Sequence, residues 1–154
     1  MVAAFVVPSL GLASALACAS LGGGAYEFSV VDPFWPRRPD IIQPARGGIS
    51  RKRFWFPAHC AFELALIVSL ITAWSLPDVR FRLLIALAAH AAMRIWSAFD
   101  LIPKALAFER SDPAMIDEAA ARSGVRRSLL RLPLDIMTCT AMLLAFATAA
   151  RLVP

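Results

Sequence analysis

The chain has 154 residues, of which 59% are hydrophobic and 18% are charged, and its formal net charge is +5. A soluble globular domain is typically about 45–50% apolar and about 25% charged, so this composition argues against an ordinary soluble domain and favours an integral membrane protein. The basic residues lie between apolar runs, where membrane topology accounts for them, and nucleic acid is therefore not expected as a partner.

Four apolar stretches have the roughly 20 residues that a transmembrane helix needs. They cover residues 2–25, 56–76, 81–99 and 129–152. The first has no charged residue and lacks the basic start of a signal peptide, so we expect it to be retained as a span. Pro57 fits the first turn of span two, where its missing N–H costs nothing. A very short turn joins spans two and three into an antiparallel hairpin. The predicted fold class is an all-α integral membrane four-helix bundle, formed as one domain.

Two long polar connections lie between the spans, at residues 31–55 and 100–128. The first is rich in proline and glycine, which predicts an irregular loop with surface aromatic residues. The second predicts a short helix at the membrane surface, with Ser111 or Asp112 as its N-cap and Pro113 in its first turn. Gly124 is expected to end or bend that helix.

Basic residues are concentrated in these two connections. With the start of span four, the connections contain Arg37, Arg38, Arg46, Arg51, Lys52, Arg53, Lys104, Arg110, Arg122, Arg126, Arg127 and Arg131. The opposite side has Arg80, Arg82 and Arg151. Because cytoplasmic loops carry the excess of Lys and Arg, we expect a multi-pass protein of the bacterial inner membrane with both termini outside the cytoplasm.

Several polar side chains lie inside the spans: His59, Glu63, His90, Arg94, Asp135 and Thr138. A charge in the bilayer costs about 2.5–3.5 kcal/mol on insertion scales, so such groups usually face the bundle interior and pair. The helical rise places Glu63, Arg94 and Asp135 roughly 5, 6 and 8 Å from the membrane centre, on three different spans. His59 lies one turn above Glu63 on the same helix face, and His90 lies one turn below Arg94. These positions predict one layered polar cluster.

Small residues in span one recur at intervals of four. The row consists of Gly11, Ala15, Ala19 and Gly23, and it ends at Glu27. Small residues at this spacing let helices approach closely in lipid, so this face is expected to point inward and to bring Tyr26 and Glu27 to the rim of the cluster. The alternative is a packing stripe that ends in a solvated acid.

The sequence does not predict a metal or a haem. Two haem-ligating imidazoles need matching depths, and His59 and His90 are estimated to differ by roughly 10 Å. The Glu-x-x-His pattern of di-iron bundles is missing. The three cysteines, Cys18, Cys60 and Cys139, form no Cys-x-x-Cys pair and are expected to be small buried residues. The cofactor is therefore left unknown.

Acid–base chemistry is the least demanding use of the cluster. His59 with Glu63 would form the catalytic base, and Arg94 would stabilise a developing anion. Substrate-binding positions would be Tyr26, Glu27, Trp55, His90, Asp135 and Thr138. Trp35, Trp55, Trp74 and Trp96 lie near span ends and fit an interfacial belt, although Trp55 and Phe56 also suit a pocket mouth. A structural salt-bridge network that specifies helix pairing is the alternative.

Two segments carry a resemblance to a known family. "GGGAYEFSVVDPFW" and "RRSLLRLPLDIMTCTAMLLAF", together with four spans over the chain, resemble small bacterial four-helix membrane proteins grouped with the fungal anthrone oxygenases, most of them of unknown function. The resemblance implies oxygenation of a polycyclic phenolic anthrone without a marked cofactor motif. Tyr26 and Glu27 are the matched positions.

These observations predict an oxidoreductase or oxygenase that acts on a lipophilic aromatic or quinone-like molecule within the membrane. Two alternatives stay open: a non-catalytic accessory subunit of a larger membrane complex, and a proton-coupled carrier working as a homo-oligomer. The expected partners are membrane lipid, a lipophilic small molecule, and further copies or subunits.

Overall fold

The computed structural model describes residues 3–152. Its helices, in chain order, are α1 (Ala3–Tyr26), α2 (Lys52–Thr72), α3 (Pro77–Trp96), α4 (Ile102–Arg110), α5 (Glu118–Leu129) and α6 (Leu132–Leu152). Within the described range there is no β-strand. Four helical segments are long and apolar enough to cross a membrane. The prediction of an all-α membrane four-helix bundle is confirmed.

The bundle consists of α1, α2, α3 and α6, arranged in the cyclic order α2, α1, α6, α3. Helix α1 packs closely against α2 and α6, and α6 packs closely against α3. Helices α2 and α3 form the hairpin but make the loosest of these four seams. Leu10, Leu66, Leu83 and Met142 are fully or almost fully buried between the helices.

The inward face of α1 differs from the prediction. The residues that are buried follow steps of three and four, and they are Val6, Leu10, Ala13, Ser14 and Ala17. Ala15 and Ala19 are instead exposed. A strict step of four overshoots a full turn by about 40°, so a row of that spacing winds around the helix and leaves any one face. The two glycines of the row, Gly11 and Gly23, lie against the rings of Phe146 and Phe54.

Two helix boundaries also differ from the hydropathy limits. Helix α2 begins at Lys52, so Pro57 lies inside the helix and not in its first turn. Pro77 occupies the start of α3, where a missing N–H is tolerated. Helix α3 then continues through a π-helical turn, Ser97–Leu101, into α4. The segment predicted to be a polar loop from residue 100 is therefore helical as far as Arg110.

Residues 32–51 and 102–131 form a cap on one end of the bundle. Its small core contains Val31 from the end of the π-helical turn Glu27–Val31, together with Trp35, Ile42 and Ala121. Trp35 is only 3% exposed and packs on Phe108 with ring centroids 5.3 Å apart. The expectation that the aromatic residues of this loop lie at the surface is therefore wrong for Trp35, because the cap has a core of its own.

Helix α5 starts later than the sequence suggested. Asp112 caps a single 3-10 turn, Pro113–Met115, by accepting from the N–H of Ala114. Asp117 is the N-cap of α5 and accepts from the N–H groups of Ala119 and Ala120. Gly124 neither ends the helix nor caps it. A Cβ at this position would make ordinary van der Waals contact with the ring of Phe108, at 3.6 Å, so the packing does not require a glycine there.

Candidate functional site

A cavity of about 360 Å³ lies between the bundle and the cap, and we call it the vestibule. This volume is in the range of small-molecule sites, about 300–1,000 Å³. Aromatic rings of Trp35, Trp55, Phe56 and Phe108 form part of its wall. The ionisable residues that line it are Glu27, Asp32, Arg51, Lys52, His59, Arg94, Lys104, Glu109 and Arg131. The vestibule therefore combines aromatic surface with a set of charges that is mostly cationic.

One face of α2 supplies an aligned set of vestibule residues. Arg51, Trp55 and His59 are four residues apart, which stacks their side chains along the helix. The Trp55 indole lies over the His59 imidazole, with centroids 5.3 Å apart and planes inclined by 21°. Glu27 accepts from Trp55 Nε1 at 2.7 Å and from Arg51 Nη1 at 3.3 Å. Glu27 thus fixes Trp55, and Trp55 in turn holds the ring of His59.

His59 is almost fully buried, with 9% of its surface exposed. Its Nδ1 has no hydrogen-bond partner among residues 3–152. Nor does any hydrogen bond in that range join it to Glu63. An uncharged imidazole with a free ring nitrogen beside an apolar cavity can accept a proton or a hydrogen bond from a ligand.

Glu63 pairs with residues other than the one predicted. Its Oε1 lies 3.0 Å from Arg94 Nε and 3.3 Å from His90 Nε2. Glu63 therefore does not hydrogen-bond to His59, and the two do not form the paired catalytic base that the sequence predicted. Helix side chains lean toward the N-terminus of their own helix, so Glu63 on α2 and Arg94 on the antiparallel α3 lean toward each other. This contact joins the two helices across their loose seam.

The two histidines lie much closer than the depth estimate allowed. Their ring centroids are 5.9 Å apart. The midpoint of a hydropathy span does not give the relative depth of residues on α2 and α3. The hairpin turn between Thr72 and Pro77 sets the register of these two helices. His59 and His90 are the same number of residues from that turn, so they face each other. Phe62 packs edge-on against His90 at 4.8 Å.

A second, smaller cavity of about 30 Å³ continues into the bundle, and we call it the inner cavity. Trp55, His59, His90, Arg131, Asp135 and Thr138 are among the residues that line it. This space is enough for about two water molecules. No group of three or more His, Cys, Asp or Glu side chains in the described part of the chain is arranged to hold a metal ion.

Tyr26 and the cysteines differ in their relation to the two cavities. Tyr26 is 61% exposed and lines neither cavity, because consecutive helix residues point about 100° apart and Glu27 takes the inward direction. Cys60 lines the vestibule. Cys18 is exposed, contrary to expectation, and its Sγ lies 3.4 Å from that of the buried Cys139.

Sequence reasoning missed two arginines in this site. Arg51 and Arg131 were assigned to topology alone, as members of basic connections. The spacing of four that links Arg51 with Trp55 and His59 was present in the sequence, but the hydropathy limit at residue 56 concealed it. Arg131 precedes the first residue of α6, Leu132, and nothing in its local pattern indicated that it faces a cavity.

Asp32 follows the first membrane-capable helix, Phe5–Val31, and lines the vestibule. Burial, followed by the negative charge of Glu27, raises the pKa of Asp32 from 3.8 to about 6. Trp35 Nε1 donates to Asp32 Oδ1 at 3.0 Å, which favours the charged carboxylate but does not offset burial.

The raised pKa of Asp32 predicts a pH-dependent stability difference. The contribution of this group to folding is fully present below its ordinary pKa of 3.8 and is lost as the pH rises through about 6. Asp32→Asn keeps an acceptor for Trp35, so we expect its melting temperature relative to wild type to be higher at about pH 7.5 than at about pH 5. Thermal unfolding in detergent at both pH values measures this.

A matched control is Asp40→Asn. Hydrogen bonding to Arg38 lowers the pKa of Asp40, so this carboxylate is ionised at both pH values and its replacement should give the same difference at each. A variant-minus-wild-type difference for Asp32→Asn that does not change with pH would contradict the assignment.

No family model matches this chain, and no curated protein or solved structure matches it. The chemistry of the vestibule therefore has to be inferred from the residues that line it. An aromatic-walled cavity with a buried imidazole and several cations can bind a lipophilic ring and can take up a proton from it.

Proposed function

We propose that the protein binds a lipophilic aromatic or quinone-like molecule in the vestibule and acts on it as an oxidoreductase or oxygenase. One observation carries this proposal: a single cavity of about 360 Å³ is bounded by Trp55, His59 and Arg94. Aromatic walls favour a flat ring system. The resemblance to anthrone-oxygenase-like proteins points to the same class of ligand, and membership of that family is part of the proposal.

In this proposal His59 is the proton acceptor. A neutral imidazole can take the proton from a phenol or hydroquinone hydroxyl, and stacking on Trp55 holds the ring in position. Arg94 lines the same cavity and is held through its Nε by Glu63. Its guanidinium stabilises the resulting phenolate. With a hydroquinone as ligand, two electrons and both hydroxyl protons pass to dioxygen, so that the products are the quinone and hydrogen peroxide, and His59 relays the first of these protons.

The ligand is proposed to enter from the lipid. Phe56 and Ile102 line the vestibule and are 74% and 42% exposed, and they lie on the side where α2 and the continuation of α3 are least closely packed. The charge distribution indicates a bacterial inner-membrane protein with the cap in the cytoplasm and both termini outside. The vestibule would then lie near the inner leaflet, where an amphipathic ring can partition.

Tryptophan fluorescence tests the ligand class. Trp35 and Trp55 line the vestibule, whereas Trp74 lies at the hairpin turn at the other end of the bundle. Titration of the purified protein in detergent with menadione or decylubiquinone should give saturable quenching. In the tautomer that carries its proton on Nδ1, His59 can donate to a quinone carbonyl, so His59→Leu should weaken binding about tenfold through the loss of one hydrogen bond.

Two tryptophan variants make this experiment specific. Trp74→Phe should retain the full saturable quenching, and Trp55→Phe should lose a large part of it. Equal quenching in the two variants, or a linear response without saturation, would show that quinones do not occupy the vestibule.

The two other functions make different predictions. A carrier needs a polar path through the bundle, but the half that is remote from the cap contains buried apolar side chains such as Leu10, Leu83 and Met142, so the carrier is less well supported. An accessory subunit would co-purify with a stoichiometric partner and would show no saturable quenching.

A further inference from the structure

The cations of the vestibule differ in whether they have a partner. Four of the five are paired with a carboxylate at 3.3 Å or less, and these pairs are Arg51–Glu27, Lys52–Glu109, Arg94–Glu63 and Lys104–Asp100. The fifth, Arg131, forms no ion pair with any residue between 3 and 152. Arg131 is half-buried beside the cavity, and a guanidinium that is not engaged by a carboxylate can pair with an anionic group of a ligand.

Arg131 is placed to serve both cavities. It lies directly before α6, is half-buried, and lines the vestibule and the inner cavity. Its Nε and Nη2 donate to the carbonyl and the hydroxyl of Ser128 at 3.3 and 2.9 Å. A guanidinium has five N–H donors, so these two bonds leave Nη1 and part of Nη2 available to a ligand.

Neighbouring acids do not complete this site. Asp135 lies one turn further along α6 and lines the inner cavity, but it forms no ion pair with Arg131. Asp32 lines the vestibule and accepts from the indole of Trp35. Glu27 and Glu109 are already engaged by Arg51 and Lys52. The anion that would complement Arg131 is therefore not supplied by the described part of the chain.

We propose that the ligand of the vestibule is itself an acid, a lipophilic aromatic carboxylate whose carboxylate pairs with Arg131. The planar fork of an arginine matches a carboxylate in two parallel hydrogen bonds. The rings of Trp55, Phe56 and Phe108 line the same cavity and provide surface for the aromatic part. This inference rests on the proposed function, because it names the chemical class of the ligand for the same cavity.

The experiment compares an aromatic acid with its neutral ester. The probes are anthracene-9-carboxylate and its methyl ester, added to protein in nanodiscs of phosphatidylcholine, with energy transfer from tryptophan to the anthracene ring as the readout. We expect the acid to bind at least about tenfold more tightly than the ester, as for a charge-assisted pair. Arg131→Gln should weaken binding of the acid by at least about tenfold and leave the ester unchanged.

Two further variants guard against a merely structural effect. Arg131→Lys keeps the charge but loses the fork, so its affinity for the acid should lie between those of wild type and Arg131→Gln. Arg126→Gln removes an exposed cation that lines neither cavity and should leave binding of the acid unchanged. If Arg131→Gln fails to fold, the comparison of acid with ester on wild type and Arg131→Lys still decides the question.

The outcomes separate this inference from the proposed function. Equal affinity for acid and ester would overturn the role of Arg131 while the aromatic site stands. Binding of neither probe, together with no quenching by quinones, would overturn the proposed function as well. Membranes that contain phosphatidylglycerol test the other source of an anion. If the acid binds no more tightly than the ester once this lipid is present, and Arg131→Gln removes that effect of the lipid, the anion site belongs to a lipid headgroup and the inference is overturned.

Discussion

Arg94→Leu should destabilise the protein by about 3 kcal/mol, the cost of a charge left without its partner in a membrane. Among residues 3–152, the substitution leaves His90, at 3.3 Å, as the one close polar partner of Glu63. Glu63 and Arg94 are 40% and 36% exposed, and both lie in helical segments that are apolar enough to cross a membrane, so we expect this exposed surface to face lipid more than water. Reversible unfolding in mixed micelles measures the loss.

The double variant Glu63→Gln, Arg94→Leu separates stability from function. Removing both charges should restore stability to within about 1 kcal/mol of wild type, because no charge is then left unpaired. Binding of an aromatic ligand should stay weak, since Arg94 also lines the vestibule. If the double variant recovers binding together with stability, Arg94 acts only in holding α2 to α3, and the polar cluster is a structural network.

The sequence predicted the bundle well because hydropathy depends on composition over about 20 residues. Tertiary contacts at single residues were harder to predict. The pairing of Glu63 with Arg94 and His90 depends on the hairpin register, which is set by the turn between Thr72 and Pro77. A window average places that turn within two or three residues, and such an error changes which side chains face each other.

The vestibule could be predicted only in part. Glu27, Trp55, His59 and Arg94 line it, and each stood out as a polar or aromatic residue within or beside an apolar span. Arg131 did not stand out, because a basic residue before a span is usually explained by topology. Its significance depends on a comparison across the fold, namely that the other cations of the vestibule have carboxylate partners.

Among the Gly→Ala substitutions, we expect Gly48→Ala to disrupt the cap, and with it the vestibule, the most. A Cβ at this position would lie 2.2 Å from the carbonyl oxygen of Asp40 and 2.6 Å from that of Ile41. These atoms belong to the backbone and cannot rotate away. The loop is closed by the Gly48 N–H to Gln43 carbonyl bond of 3.0 Å, so the strain reaches Gln43 directly.

Gln43 connects this loop to the end of α4. It is 1% exposed, and its Nε2 donates to the carbonyls of Phe108 and Ser111 at 2.9 and 2.8 Å. Phe108 lines the vestibule, so a displaced Gln43 should weaken ligand binding while the bundle stays helical. We expect local destabilisation of about 3 kcal/mol, observed as amide exchange in residues 40–49 and 107–112 that is about 100-fold faster.

Gly47→Ala is the matched control for this prediction. Gly47 has a φ of +85° and open space where a Cβ would lie. Alanine there should therefore lower the stability only through its left-handed backbone conformation, by about 1–2 kcal/mol. It should speed exchange in the loop less than Gly48→Ala does, and it should leave the affinity for menadione near that of wild type. Because the two variants add the same methyl group to adjacent residues, similar effects on binding would mean that the contact of Gly48 with the loop backbone does not control the vestibule, and that the bundle alone holds the ligand.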